Sequence, residues 1–296
     1  MKLLQDLRSR KLISPPQWLP ENAHYVTEMG SVAYGVSGGS SDRDIYGFVI
    51  PPKDDIFPHL RGEIPGFGRQ KKRFAQWQEH HVQDKDRDTE WDFQLFSIVK
   101  FFQLCMENNP NMVDALFTPT RCILHCTHIG NMVRDSRKMF LHKGSYHKFR
   151  GYAHSQLHKM TIKNPEGKRR LLLEQYGYDT KYAYHLVRLV LECEQILVHQ
   201  DIDLECNSEI LKSIRRGEWS EQRIREWYAT KERGLEELYN SSTLRYKPDE
   251  KGIKDLLMNC LEHHYGDLSA AVVREDEALR ALRQIHEISN GYFLTN

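Results

Sequence analysis

Cysteine is scarce in this chain, six among 296 residues, too few for the disulfide framework of a small secreted domain, so reduced thiols are the default. An excess of charge of one sign is also missing. The 42 Lys and Arg against 41 Asp and Glu leave a formal net charge of +1, so a nucleic-acid partner cannot be inferred from bulk electrostatics. No run of about twenty apolar residues occurs, which argues against a membrane-spanning helix. The amphipathic, charged start from Met1 to Arg8 lacks the uninterrupted apolar core of an export signal. A cytoplasmic location without membrane association is therefore expected. Internal repeats and low-complexity tracts are absent as well. What remains is a 40% apolar composition, enough for one large core or two modest ones, and two domains are expected.

One stretch carries chemistry: Gly30-Ser31, then Asp42-Arg43-Asp44-Ile45. The run Ala23 to Met29 before it reads as a strand, and Ile45 to Ile50 after it as another, closed by Pro51-Pro52. Alternate side chains of an extended segment share a face, so Asp42 and Asp44 project one way and Arg43 and Ile45 the other. Two carboxylates so placed repel each other unless a cation lies between them. Mg2+ prefers oxygen ligands and combines one or two protein carboxylates with substrate phosphates. Gly30 allows a close turn, and Ser31 with the following amides is expected to open a helix whose N-terminus receives phosphate oxygens. A third carboxylate is needed where one metal escorts a triphosphate and another activates the attacking hydroxyl. Asp92, in the strand around Thr89 to Phe96, is the candidate, with Glu90 on the same face as its alternate. The plainer readings are a solvated Asp-rich turn and, for Asp92, a strand end or helix N-cap.

The longer string Gly30-Ser31-Val32-Ala33-Tyr34-Gly35 with Ser41-Asp42-Arg43-Asp44-Ile45-Tyr46-Gly47 resembles the DNA polymerase beta-like nucleotidyltransferase superfamily. Within it, the string looks most like the RNA repair pathway polymerase-beta family. That resemblance implies transfer of a nucleoside monophosphate from an NTP, such as ATP, onto a hydroxyl. It implies two Mg2+ ions, with Mn2+ as an alternative, held by Asp42, Asp44 and Asp92, and nucleotide binding through Gly30, Ser31 and Ser41. It also places an aspartate before a helix leading to Asn-Pro, as Asp92 precedes Asn109-Pro110 here.

The expected fold class is α+β: a small mixed sheet with helices on one face over residues 1–140, then a helical domain over 141–296 that closes the nucleotide cleft. Expected strands cover 23–29, 44–50, 74–83 and 89–95, with a helix over 96–107. Between them, 58–88 is a polar insertion with Gly62, Pro65, Gly66, Gly68 and the basic run Arg69 to Arg73, read as a lid, a substrate contact or a surface excursion. The clearest helix is Thr180 to His199, with Ala183, Val187, Val190, Leu191, Cys193, Leu197 and Val198 as its apolar face. On it Lys181, His185 and Arg188 form one stripe, which suits a triphosphate, although a solvated stripe is the plain alternative. The surrounding string Tyr176 to Leu189 again resembles the RNA-repair family, and the resemblance implies phosphate contacts for Lys181 and Arg188 and phosphate or base support for His185. Further helices are expected over 205–216, 220–239, 249–265 and 268–290.

Between Lys143 and Arg170 eight Lys or Arg face a single acid, Glu166, with Tyr146, Phe149 and Tyr152 interleaved, a pattern suited to phosphate tracking and base stacking. Together with the resemblance it favours an RNA end, of tRNA or a cleaved RNA, as acceptor. A protein hydroxyl, a small molecule, or a non-catalytic nucleotide- or nucleic-acid-binding module are the alternatives. Cys122, His125, Cys126 and His128 crowd into seven residues without a second ligand pair, which disfavours zinc. In the pairs His80-His81 and His263-His264 neighbouring side chains should diverge.

Overall fold

The computed structural model describes residues 1–37, 42–68, 70, 72–160, 168–266 and 285. The expected helix over 268–290 therefore lies, but for Ile285, outside the described residues. Strands β1 (Ala23–Glu28), β2 (Arg43–Val49), β3 (Gln76–Asp84), β4 (Thr89–Ser97) and β5 (Ile123–Cys126) form one sheet in the order β3-β4-β2-β1-β5. The β2–β4 pair is parallel and the other pairs are antiparallel. The sheet is thus mixed, and the fold is α+β. The second half of the polar insertion supplies β3, while the described residues of its first half include a short turn of helix at Pro58–Arg61 and an isolated bridge between Ile64 and Phe67.

Helices α1 (Lys2–Ser9), α2 (Lys53–Ile56), α3 (Ile98–Met106), α4 (Pro110–Phe117) and α5 (His128–Asp135) accompany the sheet. From there the chain is helical: α6 (Gly144–Lys159), α7 (Lys168–Tyr176), α8 (Thr180–His199), α9 (Ser208–Arg215), α10 (Glu221–Ser241) and α11 (Glu250–Tyr265). Local chemistry sets the starts. Ser97 accepts from the Lys100 amide and caps α3; Asn109 accepts from the amides of Asn111 and Met112, with Pro110 at the first helical position of α4. Asp179 caps α8 by accepting from the amides of Lys181 and Tyr182.

Alternation along the strands divides the core. Val26, Ile45, Val49, Trp91, Phe93 and Leu95 are buried in one cluster with Leu4 and Leu7 of α1. Tyr25, Phe48, Ile50 and Phe96 join the larger cluster that runs on through α3, α4, α5 and α8. The expectation of helices on a single face is therefore corrected: α1 covers the other face, because a two-sided apolar sheet needs a second cover. Its partners on β2 and β4 follow the strand period, which leaves Asp44 and Asp92 on the face of Phe48 and Phe96, toward the helical half. Helix α8 is central, with Ala183, Leu186, Val187, Leu189, Val190, Cys193, Ile196 and Leu197 buried, whereas Val198 lies 48% exposed.

Candidate active site

The site begins where β1 ends. The Met29 amide donates to the Asp44 carbonyl at 2.7 Å and clamps the following turn to β2. Gly30 then takes a left-handed φ of 68°, and any Cβ there would overlap Asp44 Oδ2. The carboxylate of Asp44 therefore lies directly on the glycine, and residue 30 has no room for a side chain. Beyond it the amides of Tyr34, Gly35 and Val36 donate back to Gly30, Val32 and Ser31. The helix expected at Ser31 is instead a string of turns, ended by the left-handed Gly35 (φ 66°). Among the described residues the amides of Ser31 and Val32 donate no backbone hydrogen bond, so the turn still offers donors to an anion.

Asp44 and Asp92 are register partners on the parallel strands β2 and β4, so two residues far apart in sequence stand side by side on one face. Asp42 is exposed, just before β2. Burial pushes the Asp44 carboxyl up to about 6; the negative charge of Asp92 adds to this, Lys181 opposes it, and Asp42 and Glu28 add smaller increments. On the opposite face Arg43 pairs with the buried Glu28 through Nε at 2.7 Å and through its second terminal nitrogen, and its guanidinium lies 4.9 Å from the Trp91 ring centre. Glu90, the alternate ligand, takes a 2.6 Å hydrogen bond from His81 Nδ1, while Asp92 Oδ1 accepts from the His81 amide at 2.7 Å.

Among the described residues no three His, Cys, Asp or Glu side chains form a ready cation cage. The donor set nonetheless suits a hard cation: paired carboxylate oxygens, with the Asp44 pKa raised by burial and then by the neighbouring charge of Asp92. In the second cluster considered for metal, His125 Nε2 meets the Ala23 carbonyl at 3.0 Å, Cys126 donates to Asn131 at 3.1 Å, and the His128 ring packs on His263. Ser41 lies outside the described residues.

The cationic stripe of α8 divides by depth. Lys181 is exposed and acts on Asp44. His185 is half-buried, and burial together with Arg188, Lys181, Arg169 and Arg215 holds its pKa well below the ordinary value, so the ring is neutral. Arg188 is not brought to the cleft. It is buried, with one guanidinium nitrogen on Asp114 and, at 2.8 and 3.0 Å, on Glu192. The Tyr34 ring lies 4.4 Å from its guanidinium carbon, and the Tyr34 hydroxyl donates to Asp114 at 2.8 Å. Burial raises the pKa of both Asp114 and Glu192, against the opposing pull of the Arg188 guanidinium.

Sequence reasoning missed Asp114, Glu192 and Arg215, and counted Arg169 only within the basic stretch. Glu192 was visible as an i+4 partner of Arg188, and Asp114 as a lone acid in the apolar string Pro110 to Phe117. Arg169 stacks 4.0 Å over Tyr182 and pairs with Asp179 at 3.2 Å; Arg215 donates to the Val36 carbonyl at 2.8 Å, beside the turn. The aromatics of the basic stretch are mostly core: Tyr146 and Phe149 are buried and Lys143 is covered by Tyr239 and Tyr246, leaving Tyr152 exposed with Lys148, Arg150 and Lys159. Lys163 and Glu166 lie outside the described residues.

Comparison with known proteins bears on the family. A 136-residue stretch is 26% identical to an uncharacterized 38.9 kDa protein in the nrdC–mobD intergenic region of Enterobacteria phage T4, covering 45% of this chain and 37% of that protein. The matched stretch thus spans little more than a third of its relative. The model of the RNA repair pathway DNA polymerase beta family matches residues 17–259, from the first strand through most of α11. With a match over most of its length, and a Gly-Ser turn beside paired aspartates on a mixed sheet, the chain belongs to the RNA repair pathway DNA polymerase beta family, a polymerase beta-like nucleotidyltransferase family.

Proposed function

We propose that this protein transfers a nucleoside monophosphate from an NTP to a hydroxyl at an RNA end, in the cytoplasm and with Mg2+. The observation that carries the proposal is the Asp44–Asp92 register pair on parallel strands, set against the Gly30 turn. Asp44 and Asp92, with Asp42 beside them, would hold divalent cations, which when bound offset charge on the triphosphate and lower the pKa of the acceptor hydroxyl. The amides of Ser31 and Val32 bind terminal phosphate oxygens. Lys181 supplies positive charge from the helical side, with Arg169 and Arg215 near it around the neutral His185, which offers a hydrogen bond rather than a charge. Arg188 works indirectly, holding Tyr34 and so the turn. In this reading residues 1–140 carry the chemistry and 141–296 the cover of the nucleotide cleft. Exposed Lys148, Arg150 and Lys159 on α6, with Tyr152, suit an RNA backbone.

The test is incubation with Mg2+ and each alpha-labelled NTP in turn, offered total RNA or a protein extract. Label is expected in RNA, and the RNA complex should weaken steeply with added salt. Label confined to protein would move the acceptor assignment. No transfer to any fraction, from a folded protein, would overturn the reading.

A further inference from the structure

Strand β3 pairs regularly with β4 from Gln76–Phe96 to Glu79–Phe93, and again from Val82–Trp91 to Asp84–Thr89. Between these stretches β3 contributes two residues, His80 and His81, where β4 contributes one, Asp92. This is a β-bulge, a device that inserts one residue and re-aims the groups around it. It stands directly opposite the third carboxylate of the candidate site. His81 adopts a left-handed φ of 57°, a region His tolerates better than most side chains. In that conformation its amide donates to Asp92 Oδ1 at 2.7 Å, and His80 Nδ1 lies 3.5 Å from the same oxygen. Among the described residues Asp92 Oδ2 has no hydrogen bond. The His81 ring is turned away, onto Glu90 at 2.6 Å.

We propose that the His80–His81 bulge is the positioning device for Asp92. Its extra residue delivers a backbone N–H to Oδ1, fixes the rotation of the carboxylate, and leaves Oδ2 as the oxygen available to a cation. The inference rests on the metal site of the nucleotidyl-transfer reading. Metal-ligating carboxylates are commonly held by such a partner, and its loss costs about 10–100-fold in metal affinity. Because the donor here is main chain, the requirement at residue 81 is a backbone conformation and not an imidazole.

The test is Mn2+ titration of the nucleotide-free protein by electron paramagnetic resonance, with thermal melting as the check on folding. His81→Gly and His81→Asn, which accept the left-handed region, are expected to bind Mn2+ like wild type. His81→Val, which resists it, is expected to bind about 10–100-fold more weakly. Deletion of His80, which restores one-to-one pairing, should weaken binding similarly and carries the test if the valine variant does not fold. Wild-type affinity in the deletion variant or in a folded valine variant overturns the proposal. So does an equal loss in the glycine and asparagine variants, which would assign the role to the ring. A wild type that binds Mn2+ yet transfers nothing sinks the transfer reading alone; a wild type that binds no Mn2+ sinks both.

Discussion

Gly30 and Gly35 share a left-handed backbone, with φ of 68° and 66°, but face different neighbours, and the pair separates strain from catalysis. Alanine at either residue pays roughly 1–2 kcal/mol for the left-handed conformation, so both variants should melt a few degrees below wild type. At Gly30 the added Cβ would sit 2.3 Å from Asp44 Oδ2 and 3.3 Å from its Cγ, about 1 Å inside van der Waals contact. At Gly35 it would meet Glu205 Oε1 at 3.3 Å and Ser208 Cβ at 3.4 Å, contacts that a shift of a few tenths of an ångström relieves. Displacing a reacting group by ~1 Å costs on the order of 100-fold in rate. Gly30→Ala should therefore lose about two orders of magnitude in single-turnover transfer from alpha-labelled NTP, while Gly35→Ala retains most of the wild-type rate. Equal rate losses in the two variants, or an unimpaired Gly30→Ala, would refute the claim that contact with the turn sets Asp44 for chemistry.

Asp44→Asn should be inactive and, without metal, more stable than wild type. The Asp44 pKa is raised from 3.8 to about 6. The folded state thus holds a proton more tightly than the unfolded one, and this contribution is complete below pH 3.8 and lost as pH rises through 6. At pH 7 the wild type therefore carries a penalty of at most about 3 kcal/mol that asparagine removes. Melting in EDTA should show the gain at pH 7 and not at pH 4, and Mg2+ should raise the wild-type midpoint but not the variant's. Lys181→Ala should melt like wild type and weaken NTP binding. By contrast, Arg188→Met strands two buried carboxyls and should cost about 3–5 kcal/mol; a variant that melts normally and only binds NTP less well would return Arg188 to the phosphates.

Asp92 was legible as a companion of Asp44 from the need for a third carboxylate and from the family resemblance, while strand alternation alone left Glu90 on the same face as its alternate. Depth was not legible. Spacing placed Lys181, His185 and Arg188 on one stripe, yet a helix buried on most sides carries such a stripe from solvent into the core, and only the packing around α8 shows where it sinks. The same holds for Tyr146 and Phe149, which the pattern offered to nucleic-acid bases and the fold assigns to the interior. The His80-His81 pair was discounted because adjacent side chains diverge on a regular strand. The bulge breaks that regularity, and the contact runs through an amide that composition cannot reveal. Helix α1 was visible as an amphipathic start, but the use of its apolar face depends on a sheet face left open elsewhere.

The buried cluster of Tyr34, Asp114, Arg188 and Glu192 works as a rivet between the turn that follows Gly30, α4 and α8. Prising these apart would expose or orphan ionic groups at a cost of several kcal/mol. On the proposed function, a rocking of α8 away from the turn to admit a nucleotide would first have to break this cluster. With this corner welded, pieces that the rivet does not join offer the less costly movement for admission and release on that reading.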